Sequence, residues 1–294
     1  MIDSDQTGEQ WLMRCDLVVV IYEEELELAE LQAKTIARFI DAQSVNRLIY
    51  CINDEDPSTS SRFMRDSIFP VLARAGISTL ECRRDHFTLK TGRGYCLQQV
   101  QKLEVSFRVQ TDFYVVLDTK NFLVKHFDLN ELFSGPYPAV FLETYEETDF
   151  RRYMKNMYLS YWGTEEPYDN VALPAMATPF VFNTAFVRSM IDAVEKKEGM
   201  PFGIFFEERF GAGGGYSEFL LYSSYLYNFQ QRANLTEKLS HTSWGESVIS
   251  PDEIHLLVEG ARNNPSWKMC GIHKGRFDPV AQRTLEEIRK AIGL

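Results

Sequence analysis

Thr111-Asp112-Phe113-Tyr114-Val115-Val116-Leu117-Asp118-Thr119-Lys120-Asn121-Phe122-Leu123-Val124 decides how this chain is read. The run from Phe113 to Leu117 is apolar, β-branched and aromatic; it ends on an acid and restarts at Phe122. A continuous run of this kind predicts a central strand buried on both faces. Charge is costly to bury, so Asp118 is expected at the strand's carboxyl end, where open α/β sheets place their ligands.

Upstream, the pattern alternates strand and helix. Asp16 to Tyr22 reads as a first buried strand, and about Glu24 to Ile40 as an acidic helix with an apolar face on Leu26, Leu31, Ala33, Ile36, Ala37 and Ile40. Arg47 to Ile52 is a second strand, followed by a polar loop with an Asp56-Pro57 turn signal and a helix from about Arg62 to Ala75, stopped by Gly76. Ile77 to Cys82 is a short third strand. Gly92-Arg93-Gly94-Tyr95 then opens a helix from about Cys96 to Val109, which leads into the Asp118 strand. This alternation predicts a largely parallel, Rossmann-like α/β sheet flanked by helices.

Downstream of about residue 136 the pattern is less regular. Ala139 to Leu142, Pro179 to Phe182 and Trp267 to Ile272 read as strands. Thr184 to Lys197, Ser217 to Phe229 and Pro279 to Ile292 read as helices. The segment Tyr145 to Tyr168 is expected to be partly helical, and Gly211-Ala212-Gly213-Gly214-Gly215 a flexible loop. Without repeats or a long linker, residues 1–294 are expected to form one domain, with a regular half at about 14–135 and a less regular half at about 136–294.

Composition narrows the function classes. The formal net charge of −11 disfavours extended contact with nucleic acid or anionic membrane. Met1 to Gln10 is polar and acidic with no apolar core of a signal peptide, and no run approaches the ~20 apolar residues of a membrane span. Five cysteines with no CxxC pair suit a reducing compartment. The expectation is a cytoplasmic protein without a transmembrane segment, with peripheral membrane association left open.

Several residues are candidates for chemistry. Asp118 is suited to hold a divalent cation bridging a diphosphate, although an aspartate at a strand end also caps turns. Thr119 adds a hydroxyl, and Lys120 offers phosphate a point charge. Gly92 and Gly94 before a helix, with Arg93, Gln98, Gln99 and Lys102, suit an anion, but the spacing is neither GxGxxG nor a Walker loop. His273, in Cys270-Gly271-Ile272-His273-Lys274-Gly275-Arg276, is a candidate imidazole ligand or phosphate donor beside two bases. Glu218, in the first turn of an apolar helix behind the glycine loop, is a candidate general base, although acids favour that position in any helix. Glu207 and Glu208 are rivals, while the acid runs Glu23 to Glu25 and Glu143 to Asp149 read as solvated faces. No GxSxG elbow, HExxH or kinase set is present.

Together these segments resemble a bacterial family of uncharacterised GT-A-like proteins associated with polysaccharide biosynthesis. The resemblance rests on Gly94-Tyr95 with Gln98, Gln99, Lys102 and Leu103, on Tyr114 to Asn121, on Thr178 to Phe182, on Ser217-Glu218-Phe219 through Tyr222, and on Gly271-Ile272-His273. It implies a GT-A-like fold and a glycosyltransferase moving a sugar from a nucleotide-diphosphate donor to a glycan or lipid-linked acceptor. By resemblance, about 14–135 is expected to be the nucleotide-binding half and about 136–294 the acceptor-side half, with Tyr22 near the nucleotide base. Asp118 and His273 are expected on Mn2+ or Mg2+, Arg93, Gln99, Lys102, Lys120 and Lys274 around the donor, and Glu218 as the base. Lys120 stands where the family's DxD motif has its second acid, so either Asp118 with His273 holds the metal or Lys120, Lys274 and Arg276 replace it. The alternatives are a non-catalytic nucleotide-sugar-binding scaffold with a degenerate DxD site and, last, a nucleotidyltransferase.

Overall fold

The computed structural model describes residues 13–134, 137–143, 149–164, 171–211, 215, 217–228, 234–235, 238–278 and 281–294. The expectations for Met1 to Gln10, for the middle of the glycine loop and for parts of Tyr145 to Tyr168 lie outside the described residues.

Strands β1 (Cys15–Ile21), β2 (Val45–Ile52), β3 (Thr79–Cys82) and β4 (Phe113–Asp118) form the parallel core of a five-stranded sheet. A fifth strand, Phe180–Asn183, joins the β4 edge antiparallel, with Val181 opposite Val115. The sheet order runs Phe180–Asn183, β4, β1, β2, β3. The chain therefore steps outward from β1 to β3 and then returns to the other side of β1. That reversal opens a crevice beyond the carboxyl ends of β1 and β4, the place where such sheets take ligands. Val20 of β1 pairs with Asp118 of β4, so the aspartate stands on the lip of this crevice.

Both faces of the sheet are covered, which explains the unbroken apolar runs. Alternation divides them: Val18, Val20, Tyr114 and Val116 face one core, while Leu17, Val19, Ile21, Val115 and Leu117 face the other. The first core is closed by α3 (Gly94–Glu104) and by helices from the second half. The other is closed by α1 (Leu26–Phe39) and α2, a continuous helical run made of Ser58–Phe63, a π segment Met64–Ile68, and Phe69–Arg74.

The second half supplies α4 (Asp149–Tyr161), α5 (Thr184–Glu198), α6 (Phe202–Gly211), α7 (Glu218–Asn228), α8 (Pro251–Asn263) and α9 (Ala281–Ile292). Helix α5 shows how such an element is delimited: Asn183 accepts the Phe186 N–H at its start, and Gly199 closes it at φ +70°. No helix among the described residues is long and apolar enough to cross a membrane.

Phe122 to Val124 does not extend the central sheet. Asn121–Leu123 leaves it and pairs antiparallel with Met269–Ile272, which in turn pairs in parallel with Ser240–Ser243. The cause lies in the Asp118-Thr119-Lys120-Asn121 turn, where Asn121 Oδ1 accepts the Asp118 N–H (3.0 Å) and redirects the chain. Gly271 makes the second sheet possible, because a Cβ there would lie 2.8 Å from Thr242 Oγ1 and 3.1 Å from Asn121 Nδ2. Strand Ser240–Ser243 and helices α6 and α8 lie outside the elements read from the sequence; Ser240–Ser243 is short and largely polar, whereas α8 does carry a start signal, the Ser250/Glu253 capping box with Pro251 at its first position.

Candidate active site at the carboxyl edge of the sheet

The crevice is a cleft of about 630 Å3, within the usual range for small-molecule sites. Its floor is the turn after β4, with Asp118, Thr119 and Lys120. One wall comes from α3 (Tyr95, Gln98, Gln99, Lys102) and the start of α7 (Ser217, Glu218), and the other from Trp244, His273 and Lys274. A neighbouring pocket of about 620 Å3, lined by Tyr22, Glu23, Glu24, Glu25, Asp54 and Lys274, shares Glu25 and Lys274 with it.

At the centre is a buried ion triad. Lys102 Nζ lies 3.0 Å from Asp118 Oδ1 and 2.9 Å from Glu218 Oε1, with Lys102 4% and Glu218 1% exposed at the side chain. Local chemistry fixes each member. The Tyr114 hydroxyl donates to the Lys102 carbonyl (2.9 Å), pinning the last turn of α3, and the lysine head lies 5.2 Å from the Phe219 ring centre. Gln32 Nε2 donates to the carbonyls of Asp118 (2.7 Å) and Asn121 (2.9 Å), so the turn is held from beneath by α1. Ser217 Oγ accepts the Leu220 N–H and caps α7, which sets Glu218 in the first turn; the Gln99 amide abuts its carboxylate.

Asp118 carries a second cation. Lys120 Nζ lies 2.7 Å from Asp118 Oδ2, and Thr178 Oγ1 reaches the same oxygen at 3.3 Å. Burial alone would raise the Asp118 carboxyl, but Lys102 and Lys120 outweigh it and hold it well below the usual carboxylate range. Burial would likewise lower Lys102, and its two carboxylates keep it above the ordinary lysine value. Glu218 is pushed up by burial, and Lys102 draws it back only in part.

The structure brings Gln99, Lys102, Asp118, Lys120, Glu218, His273 and Lys274 to one cleft. Tyr22 lies in the adjoining pocket, its hydroxyl donating to the Gly94 carbonyl (2.9 Å) and pushed up to about 12 by burial. Arg93 is exposed at the cap of α3 and is not among the lining residues. Arg276 also faces away from a donor role: its guanidinium is spent on the Ser247 carbonyl (3.1 Å), Ser243 Oγ (2.5 Å) and Glu253 (3.0 Å). Lys274 pairs with Glu24 across the mouth of the cleft.

Three contributors escaped the sequence reading. Glu25, placed with a solvated run, lines the cleft and accepts from Thr119 Oγ1 (2.5 Å). Thr178 comes from a loop preceding the antiparallel edge strand. Trp244 is 64% exposed, with Lys120 5.3 Å from its ring centre and the His273 ring tilted against it at 4.7 Å. A tryptophan beside a glycine in a polar stretch is the one signal the sequence held for it.

The donor set is a poor match for a divalent cation. Hard cations gather several free oxygens. Here both Asp118 oxygens face ammonium groups, Thr119 is turned to Glu25, and His273 Nδ1 accepts the Gly275 N–H (3.3 Å). Among the described residues no group of three or more His, Cys, Asp or Glu side chains is placed to hold a metal ion.

The fold is that of GT-A glycosyltransferases. The apo structure of the bifunctional glycosyltransferase WbbM superposes with a TM-score of 0.52 at 13% identity, covering 95% of this chain and 50% of that one. An active-site mutant of LgtC gives 0.51 at 10% identity, covering 94% of this chain and 95% of that one. The glycosyltransferase GlyE of Streptococcus pneumoniae TIGR4 gives 0.50 at 12% identity, with 96% of this chain covered and 61% of that one. No curated protein matches the sequence. A family model does match residues 16–259, and the chain accordingly belongs to DUF6492, a family of unknown function.

Proposed function

We propose that this protein is a glycosyltransferase that takes a sugar from a nucleoside-diphosphate donor and passes it to a glycan or lipid-linked acceptor. The observation that carries the reading is the cleft at the β1/β4 switch point, where Asp118, Lys102, Lys120, His273 and Lys274 converge. The base and ribose would occupy the Tyr22–Asp54 pocket, and the diphosphate would lie between Lys120, His273 and Lys274, with Gln98 and Gln99 toward the sugar. Positive groups placed where charge builds on the leaving diphosphate lower the barrier because they need no reorganisation during reaction. Glu218, expected as the base, is nearly fully buried and bound to Lys102. We assign it instead to positioning Lys102, and through it Asp118.

A thermal-shift screen with UDP, GDP, CDP, ADP and their sugars, followed by donor-hydrolysis assays, tests this. Stabilisation by one nucleotide together with slow hydrolysis is expected, since a ligand that binds only the native state raises its midpoint. Binding without turnover, even with acceptor mixtures, would favour the scaffold reading. Failure of every nucleotide to bind would end the transferase reading.

A further inference from the structure

We infer that this site binds its donor diphosphate without a divalent cation, the Lys120 ammonium taking the place of the metal; the inference rests on the nucleotide-sugar reading above. In a metal-assisted site a carboxylate turns free oxygens to the ion, and the ion bridges to phosphate. Here Asp118 turns one oxygen to Lys102 and the other to Lys120. A dication at either oxygen would sit beside two ammonium groups, one of them locked in place by its second carboxylate, Glu218.

Lys120 is differently placed from Lys102. It is half-buried at the cleft floor, and of its three N–H donors one is spent on Asp118 Oδ2. The Trp244 ring lies against its head and narrows the positions the ammonium can take. Asp118 thus presents a cation toward the cleft, as it would in a metal site, but the cation is covalently part of the chain. Lys274, exposed at the mouth and paired with Glu24 across two solvated side chains, is free to exchange that partner for a phosphate oxygen. The sequence Asp118-Thr119-Lys120 thus carries, at the position of a DxD motif's second acid, a positive charge of its own.

The experiment is calorimetric titration of UDP, GDP, CDP and ADP into the full chain, with Mn2+, with Mg2+ and with EDTA. The wild type should bind its preferred diphosphate equally well in EDTA. Lys120→Met keeps the stem against Trp244 and should weaken binding about 10- to 100-fold, the range for a hydrogen bond to a charged group, with no rescue by metal. Lys120→Arg should retain most of it. A far-UV spectrum and unliganded midpoint matching the wild type establish that both variants fold. Binding that requires Mn2+ or Mg2+, or that survives unchanged in Lys120→Met, overturns the inference while leaving the transferase reading standing. Absence of binding by every diphosphate in every condition removes that reading and this one with it.

Discussion

Replacing Lys102 by Met keeps most of the side-chain volume and deletes the charge between Asp118 and Glu218. Both carboxylates approach the same nitrogen, at 3.0 and 2.9 Å, so their nearest oxygens are no more than about 6 Å apart. Two like charges at about 6 Å repel by about 3 kcal/mol at an effective dielectric of about 20. Breaking a buried pair by removing one partner costs roughly 3–5 kcal/mol, in the same range. The expected loss is therefore about 3–5 kcal/mol near neutral pH, or on the order of 10 °C in melting temperature.

The pH dependence has a definite sign. Asp118 is held low in the folded protein, so its contribution is present above the ordinary carboxylate range and lost as acid protonates it. Lys102 is held high, so its contribution is full below the ordinary lysine value and lost as pH rises through the folded one. Glu218 is already raised by burial and rises further without Lys102, so acid relieves the variant by protonating it. The gap between wild type and Lys102→Met should be widest between about pH 6 and pH 9 and shrink towards about pH 4. Urea unfolding followed by circular dichroism at several pH values measures it, and adding Glu218→Gln should recover about 3 kcal/mol of the loss. A variant within about 1 kcal/mol of wild type at neutral pH, or a gap that widens in acid, would refute the reasoning.

Other expectations are simpler. Glu218→Gln should fold, keep nucleotide-induced stabilisation and leave the shape of the pH–rate profile in place; disappearance of an acidic limb would mark Glu218 as the base after all. Trp244→Ala should raise the acceptor KM, because an exposed aromatic face on the cleft wall suits a sugar ring, and should also weaken donor binding by freeing the Lys120 ammonium; an unchanged acceptor KM would remove the sugar-stacking role. Asp16, buried at the opposite end of β1 and bound by Arg47 (3.1 Å) and Asn46 (2.8 Å), is a stability control. Asp16→Ala should cost about 3 kcal/mol without altering nucleotide affinity, and a selective binding defect would contradict its placement.

The sequence alone determined the parallel half of the sheet. Strands β1, β2 and β4 are buried on both faces over Leu17 to Ile21, Leu48 to Ile52 and Phe113 to Leu117, so each carries a continuous apolar run, and the acid ending β4 had to lie at the sheet's edge. It also named several of the polar residues that meet in the cleft, Asp118, Lys120 and His273 from their places beside strand ends and the rest with the help of the resemblance. Tertiary structure decided what those residues do to one another. Nothing local in Glu218 says that it lies 2.9 Å from Lys102, more than a hundred positions earlier, nor does Glu25 reveal that it turns inward to Thr119. The second sheet, which swings His273, Lys274 and Trp244 over Asp118, depends on Asn121 and Gly271 tolerating close approach. Pairing between segments so far apart in the chain leaves no periodicity for a sequence to show, and the ionisation of Asp118 depends on where two lysines land in space.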